Sequence, residues 1–242
     1  MKNGLSFASA LAVALGLAVA GIFVGQGFVK GRAADRFVTV KGVSERDVKA
    51  DVALWPLNFV STDDDLGTAQ AKSEEAKKTI LEFLDKQGIE SSEVELQRLE
   101  VTDVLANPYR SGPAGNRYII TQTLMVRSAD IDLIQAASQK VGELVEAGIV
   151  LSTTHGPGGG PTFLFTRLSE LKPDMIAEAT ANARKAAEQF AADSGSQLAG
   201  IRRANQGVFV ILPRDRAPGI MEEGQLNKTV RVVSTIDYYL KD

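Results

Sequence analysis

The chain contains no cysteine and a single histidine, His155. The first absence removes disulfides, thiolate-ligated zinc and thiol nucleophiles together. The second leaves imidazole chemistry one position, and a metal centre there would draw its other ligands from carboxylates, for which no ligand spacing is visible. Tryptophan is as scarce: Trp55 stands alone, beside Pro56, in an apolar stretch that reads as a core strand. Setting aside Lys2, Lys30 and Arg32 leaves 24 of the 27 basic residues against all 30 acidic ones, a balance of −6. That balance favours solubility and argues against a nucleic-acid-binding surface, which needs clustered Lys and Arg. These absences lead to the expectation of no catalytic residue, no cofactor and no metal site.

Charge is missing altogether from one long segment. Asn3 to Val29 contains no Asp, Glu, Lys or Arg, with Lys2 before it and Lys30 and Arg32 after it. A helix needs about 20 apolar residues to cross a bilayer core. Leu5 to Val24 supplies them, and Gly25 to Val29 extends the run. Residues 1–32 therefore read as a membrane segment, with residues 5–29 in the membrane. A cleaved signal would have a shorter apolar core ending in small residues. Ala18-Val19-Ala20 fits such a cut, but Gly21-Ile22-Phe23-Val24 beyond it is still apolar, so the length favours an uncleaved anchor. The side on which the remainder lies is open. Lys30, Arg32, Arg36 and Lys41 outnumber Lys2, which by the positive-inside rule keeps the large domain in the cytoplasm. A short basic stub before the first apolar run is also the pattern of export.

Residues 33–242 read as one α+β domain, a largely antiparallel sheet with three packed helices. Strands are predicted over Arg36 to Val43, Val48 to Ser61, Glu93 to Leu105, Arg117 to Ser128, Ile149 to Thr154, Thr162 to Arg167, Leu198 to Leu212 and Thr229 to Leu240. Pro56 has no N–H to give a ladder and marks an edge or a bulge. Helices are predicted over Asp65 to Gln87, Asp130 to Ala147 and Pro173 to Asp193, the first two stopped by Gly88 and Gly148. Pro173 suits a first helical turn. The inner face of the third helix is read as Ile176, Ala179, Ala183, Ala186, Ala187 and Phe190, pressed closely on a sheet carrying Val230 and Val232. Ala106 to Asn116 reads as a flexible hairpin loop and Pro213 to Asn227 as a mobile linker.

The remaining candidates for chemistry each have a plain structural reading. His155 adjoins Gly156-Pro157-Gly158-Gly159-Gly160-Pro161, and a lone imidazole there would serve as a general base. No Gly-x-Ser-x-Gly or other nucleophile signature accompanies it. The glycines lack the Lys-Ser/Thr of a phosphate loop and lead into a strand rather than a helix. Asp63-Asp64-Asp65 lacks the spacing of an EF-hand and fits a helix-capping face. Gly21 and Gly25 would let two membrane helices approach closely.

Val38-Thr39-Val40-Lys41-Gly42 followed by Val52-Ala53-Leu54-Trp55 resembles the opening of SIMPL-domain proteins, a bacterial envelope family. Ala183-Arg184-Lys185-Ala186-Ala187-Glu188-Gln189-Phe190-Ala191, then Gly195 and Leu198-Ala199-Gly200-Ile201, is similar to its C-terminal helix-turn-strand pattern. Ala199 departs from it where a glycine-like turn residue is common. The resemblance spans Phe37 to Leu240 and implies an exported, usually periplasmic α+β domain without established enzymatic activity. Together with the apolar run it leads to the expectation of a single-pass protein of the bacterial inner membrane with its domain in the periplasm, or a cleaved, soluble periplasmic one, acting as a homo-oligomer or with an envelope partner. Some members are similar to envelope-stress proteins and some form rings. Two functions follow as expectations: a non-catalytic tethered envelope protein acting by oligomerisation or partner binding, in envelope or oxidative stress tolerance, or a hydrolase or small-ligand-binding protein with its site at His155 and Gly156–Pro161.

Overall fold

The computed structural model describes residues 3–33, 36–106, 115–152 and 160–241, with side chains over 9–27 in the first stretch. In chain order the elements are α1 (Asn3–Ala33), β1 (Phe37–Lys49), β2 (Val52–Asp63), α2 (Leu66–Lys86), β3 (Val94–Asp103), β4 (Tyr118–Ser128), α3 (Ile131–Gln139) and α4 (Gly142–Glu146). There follow β5 (Val150–Leu151), β6 (Thr162–Leu164), α5 (Leu168–Asp193), β7 (Gln197–Gln206), β8 (Val210–Pro213) and β9 (Asn227–Lys241). The expected α+β architecture is present, with an N-terminal apolar helix, antiparallel pairing and several packed helices. The chain divides into two compact units, one of residues 1–44, 173–209 and 232–242, the other of 45–172 and 210–231.

In the first unit β9 runs between β1 and β7. Its burial alternates over Val232, Ser234, Ile236 and Tyr238, as the alternating sequence requires. Helix α5 covers this face with Met175, Ala179, Ala183, Ala187 and Ala191, spaced by four. Such a row drifts around the helix by about 40° per step. It leaves Phe190, predicted inside, 62% exposed, and puts Met175 in the place expected of Ile176. Ala183 and Ala187 meet Val40, Ile236 and Tyr238 rather than Val230 and Val232. The small side chains bring two backbones together. A Cβ on Gly42 would lie 1.8 Å from the Ala179 carbonyl oxygen and 2.5 Å from the Ala183 nitrogen. Around this contact Asn182 Nδ2 donates to the Val43 carbonyl at 2.9 Å and Ser44 Oγ to Glu178 Oε2 at 2.8 Å. The helix starts five residues before the predicted Pro173, which therefore lies inside it and cannot donate to Ser169. On the sheet's other face Arg202 stacks on Phe37, 4.0 Å from the ring centroid.

The second unit is built on a sheet of order β3-β4-β2-β5, with β6 also on β2. Ala53, Trp55, Leu57 and Phe59 point inward from β2 and pack with Leu124 and Val126 of β4, Ile80, Phe83 and Leu84 of α2, and Ile131 and Ile134 of α3. Trp55 is core, as its setting suggests. Asp65 caps α2, its Oδ1 accepting the Thr68 N–H at 2.8 Å, and Gly88 ends the helix at φ +88°. The predicted helix 130–147 is broken in two. Asp130, predicted as its first residue, caps it, but the Lys140 N–H closes back on Ala137 and Ser138 before Gly142, a poor helix former, restarts the turn.

The predicted linker is tied down. Gln225 bonds the Asp215 backbone twice, at 2.7 and 3.1 Å, and the Leu226 carbonyl accepts the Ala50 N–H at 2.8 Å. Lys228, fully buried, donates to the Glu222 carbonyl at 2.7 Å and pairs with its carboxylate. The hairpin loop expected over Ala106 to Asn116 falls largely on residues 107–114, outside the described residues.

Candidate functional site

His155 and Gly156 to Gly159, the sequence's main candidates, also lie outside the described residues. The two ends of their segment are described, and both border a cleft. It arises from the way β2 changes partners. Residues 52–54 of β2 pair with β6, and residues 59–60 pair with β5. Between them, among the described residues, Trp55 to Leu57 pair only with β4, on the opposite side. The Asn58 carbonyl faces this gap, where it accepts the Ser152 N–H at 2.8 Å. Backbone groups two residues apart point the same way in a strand. Pro56 therefore stands where a missing N–H leaves nothing unsatisfied, which meets the expectation that it marks an edge.

The cleft beside this gap has a volume of about 330 Å³. Its apolar wall is Trp55, Leu57, Val141 and Leu151, and Gly160 and Pro161 close one end. Its polar groups are already engaged. Ser138 Oγ donates to the Gln135 carbonyl at 2.8 Å, and Asn58 Oδ1 accepts from Thr123 Oγ1 at 2.5 Å. No carboxylate, Lys or Arg is among the described lining residues. Those residues offer apolar contact and one stretch of open strand backbone, which suits binding rather than proton transfer.

A second, more open cleft of about 450 Å³ lies among Glu45, Asp47, Arg214, Arg216 and Thr229. Three of its charged groups are already engaged. Asp47 accepts from Thr229 Oγ1 at 2.7 Å, Glu45 lies 3.2 Å from Arg231, and Arg214 pairs with Asp215 at 2.9 Å. The Arg214 guanidinium holds the Asp215 carboxyl below the usual aspartate range.

The acidic run is structural. Hydrogen bonding from Lys72, at 2.6 Å, and from backbone N–H groups lowers the Asp63 pKa, and the Thr68 backbone and hydroxyl lower that of Asp65. Both stay anionic at the N-terminus of α2, where the helix dipole favours them. Among the described residues no group of three or more His, Asp or Glu side chains is placed to hold a metal ion.

The cleft was missed in the sequence because it depends on which strands flank β2, although Pro56 signalled it. The strands themselves point to a family. Residues 38–235, from the start of β1 to the middle of β9, match the SIMPL family, described as "Protein of unknown function (DUF541)". The chain belongs to the SIMPL family. No curated protein sequence matches it. Within the SIMPL domain the opening pattern has a structural sense: Val40 is core and Gly42 seats α5. The match leaves out α1, whose Ser9–Gly27 stretch is long and apolar enough to cross a membrane or to serve as a signal sequence.

Proposed function

We propose that this SIMPL protein is held by α1 in the bacterial inner membrane, with its domain in the periplasm, and acts without catalysis through assembly or partner binding in envelope stress tolerance. The observation that carries the reading is the apolar helix. Its 19 residues from Ser9 to Gly27 contain no charge and none is buried against the rest of the chain. At 1.5 Å per residue they reach about 28 Å, close to a bilayer core. Exposed apolar surface of this extent favours burial in a membrane.

Carbonate washing of membranes tests the tether, and a reporter fused after Asp242 tests the side. Retention with reporter activity only outside the cytoplasm supports the reading. Release of a chain starting at Gly21 refutes the anchor, and activity inside refutes the orientation.

The cleft at Trp55 to Asn58 favours a second reading, small-ligand binding there. Trp55 is the chain's only tryptophan and lines that cleft, so its fluorescence would report an occupant. A saturable change with an apolar or peptide ligand, lost in His155→Ala, supports this reading. An unchanged cellular phenotype in His155→Ala supports the first.

A further inference from the structure

The order β3-β4-β2-β5 leaves β3 at the end of its sheet, paired on one side only among the described residues. Its apolar residues are uncovered: Leu96 is 43%, Leu99 47% and Val101 46% exposed. All three lie on the core side of the sheet, because they sit opposite Leu124, Gln122 and Ile120 of β4, each buried. Leu96 and Leu99 share that side only because the register shifts between Leu96 and Arg98. An extra residue at Gln97 restores the alternation that an odd spacing would break. The apolar row is thus continuous along β3.

The backbone edge has a definite phase. Val104 donates its N–H toward β4, to the Arg117 carbonyl, at 2.8 Å. Residues alternate in direction along a strand, so Leu99 and Val101 present their N–H and C=O groups to the open edge. On the outer face Arg98 and Glu100 form an ion pair at 2.7 Å.

We infer that β3 pairs with β3 of a second copy of this chain, antiparallel, about a two-fold axis at Leu99. The pattern is self-complementary. Leu99 would exchange both hydrogen bonds with Leu99 of the second copy. Arg98 would stand opposite Glu100 of that copy, and Glu100 opposite its Arg98, at positions where cross-strand side chains approach most closely. The two sets of Leu96, Leu99 and Val101 would continue one apolar face across the junction. A partner of a single charge sign would meet one residue of the Arg98–Glu100 pair unfavourably, whereas a second copy satisfies both. The inference rests on the assembly reading above and gives it a surface.

The natural absence of cysteine makes the test clean. In the full-length chain in detergent, Leu99→Cys should form a disulfide-linked dimer under mild oxidation, since a hydrogen-bonded antiparallel pair sets its Cα atoms about 5.5 Å apart, within disulfide range. Glu75→Cys, on exposed α2, should not. Arg98→Glu and Glu100→Arg should each weaken association about tenfold, as each creates two like-charge contacts by symmetry. The doubly exchanged chain should associate like the parent, and far-UV circular dichroism on heating should show the single variants folded. If native mass gives an oligomer while Leu99→Cys stays uncrosslinked, or the charge reversals associate like the parent, pairing through β3 is overturned and assembly survives. A monomer at every concentration overturns both.

Discussion

Replacing Gly42 by alanine would put a methyl carbon 1.8 Å from the Ala179 carbonyl oxygen, 2.5 Å from the Ala183 nitrogen and 2.9 Å from the Ala179 carbonyl carbon. Non-bonded heavy atoms rest at about 3.5 Å, so β1 and α5 must part by roughly 1.5 Å. Every atom met is backbone, so no side-chain rotation relieves the clash and trimming Ala183 to glycine does not help. The separation loosens the small core of Val40, Ala183, Ala187, Ile236 and Tyr238. Overpacking commonly costs about 1–3 kcal/mol, and rigid walls on both sides put this case at or above 3. For a chain of this size that lowers Tm by roughly 6–12 °C. Far-UV circular dichroism on heating measures it, with Gly200→Ala as the control, because nothing lies within 4 Å of a Cβ there. If Gly42→Ala melted within a degree of the parent, the close approach of strand and helix would be wrong.

Ala187→Leu, on the same buried row, should destabilise by about 1–3 kcal/mol in denaturant titration, while Glu188→Ala beside it stays within about 0.5 kcal/mol. Equal effects would overturn the assignment of the α5 face. Glu222→Gln should leave the Lys228 ammonium buried against a neutral amide, costing about 3–5 kcal/mol in denaturant titration, with Lys228→Met less harmful because it removes the charge as well. Asp63, Asp65 and Asp103 have lowered pKa values, from Lys72, Thr68 and Arg117 respectively. A lowered carboxylate stabilises above its unfolded pKa and loses that contribution as pH falls through the folded one. Acid titration should therefore show stability falling below the ordinary aspartate range, and less steeply in Asp103→Asn. An unchanged slope would remove Asp103 from the account.

What was legible in the sequence was local. Alternation located β2, β4 and β9 to within a few residues, and Asp65, Gly88 and Asp130 announced the helix ends they form. What was not legible depends on neighbours distant in the chain. Phe190 fits a helical period but falls off a row stepping by four, a choice made by the sheet beneath. Lys140 to Gly142 break a helix whose apolar pattern continues through them. The 213–227 segment looks loose by composition, yet Glu222 and Gln225 fasten it to Lys228 and Asp215. The cleft needed the knowledge that β5 and β6 flank β2 with a gap at Pro56. The open edge at β3 needed the strand order, since Val94 to Asp103 looks like any half-buried strand.

The place of β9 between β1 and β7 has a consequence for the order of events during synthesis. The first unit draws on residues 37–44 near the beginning and 232–241 near the end, and its middle strand is made last. Closure of β1 on β9 spans almost the whole chain, the kind of contact that forms slowly. The second unit, lacking only residues 210–231 once Lys172 has emerged, has much of its core in hand while β1 still waits for its partner. A waiting strand is exposed to wrong pairing. The β1 edge of a nascent chain therefore stays unpaired for about the time taken to make some 190 further residues, and loss of residues 233–241 would deprive the first sheet of its centre.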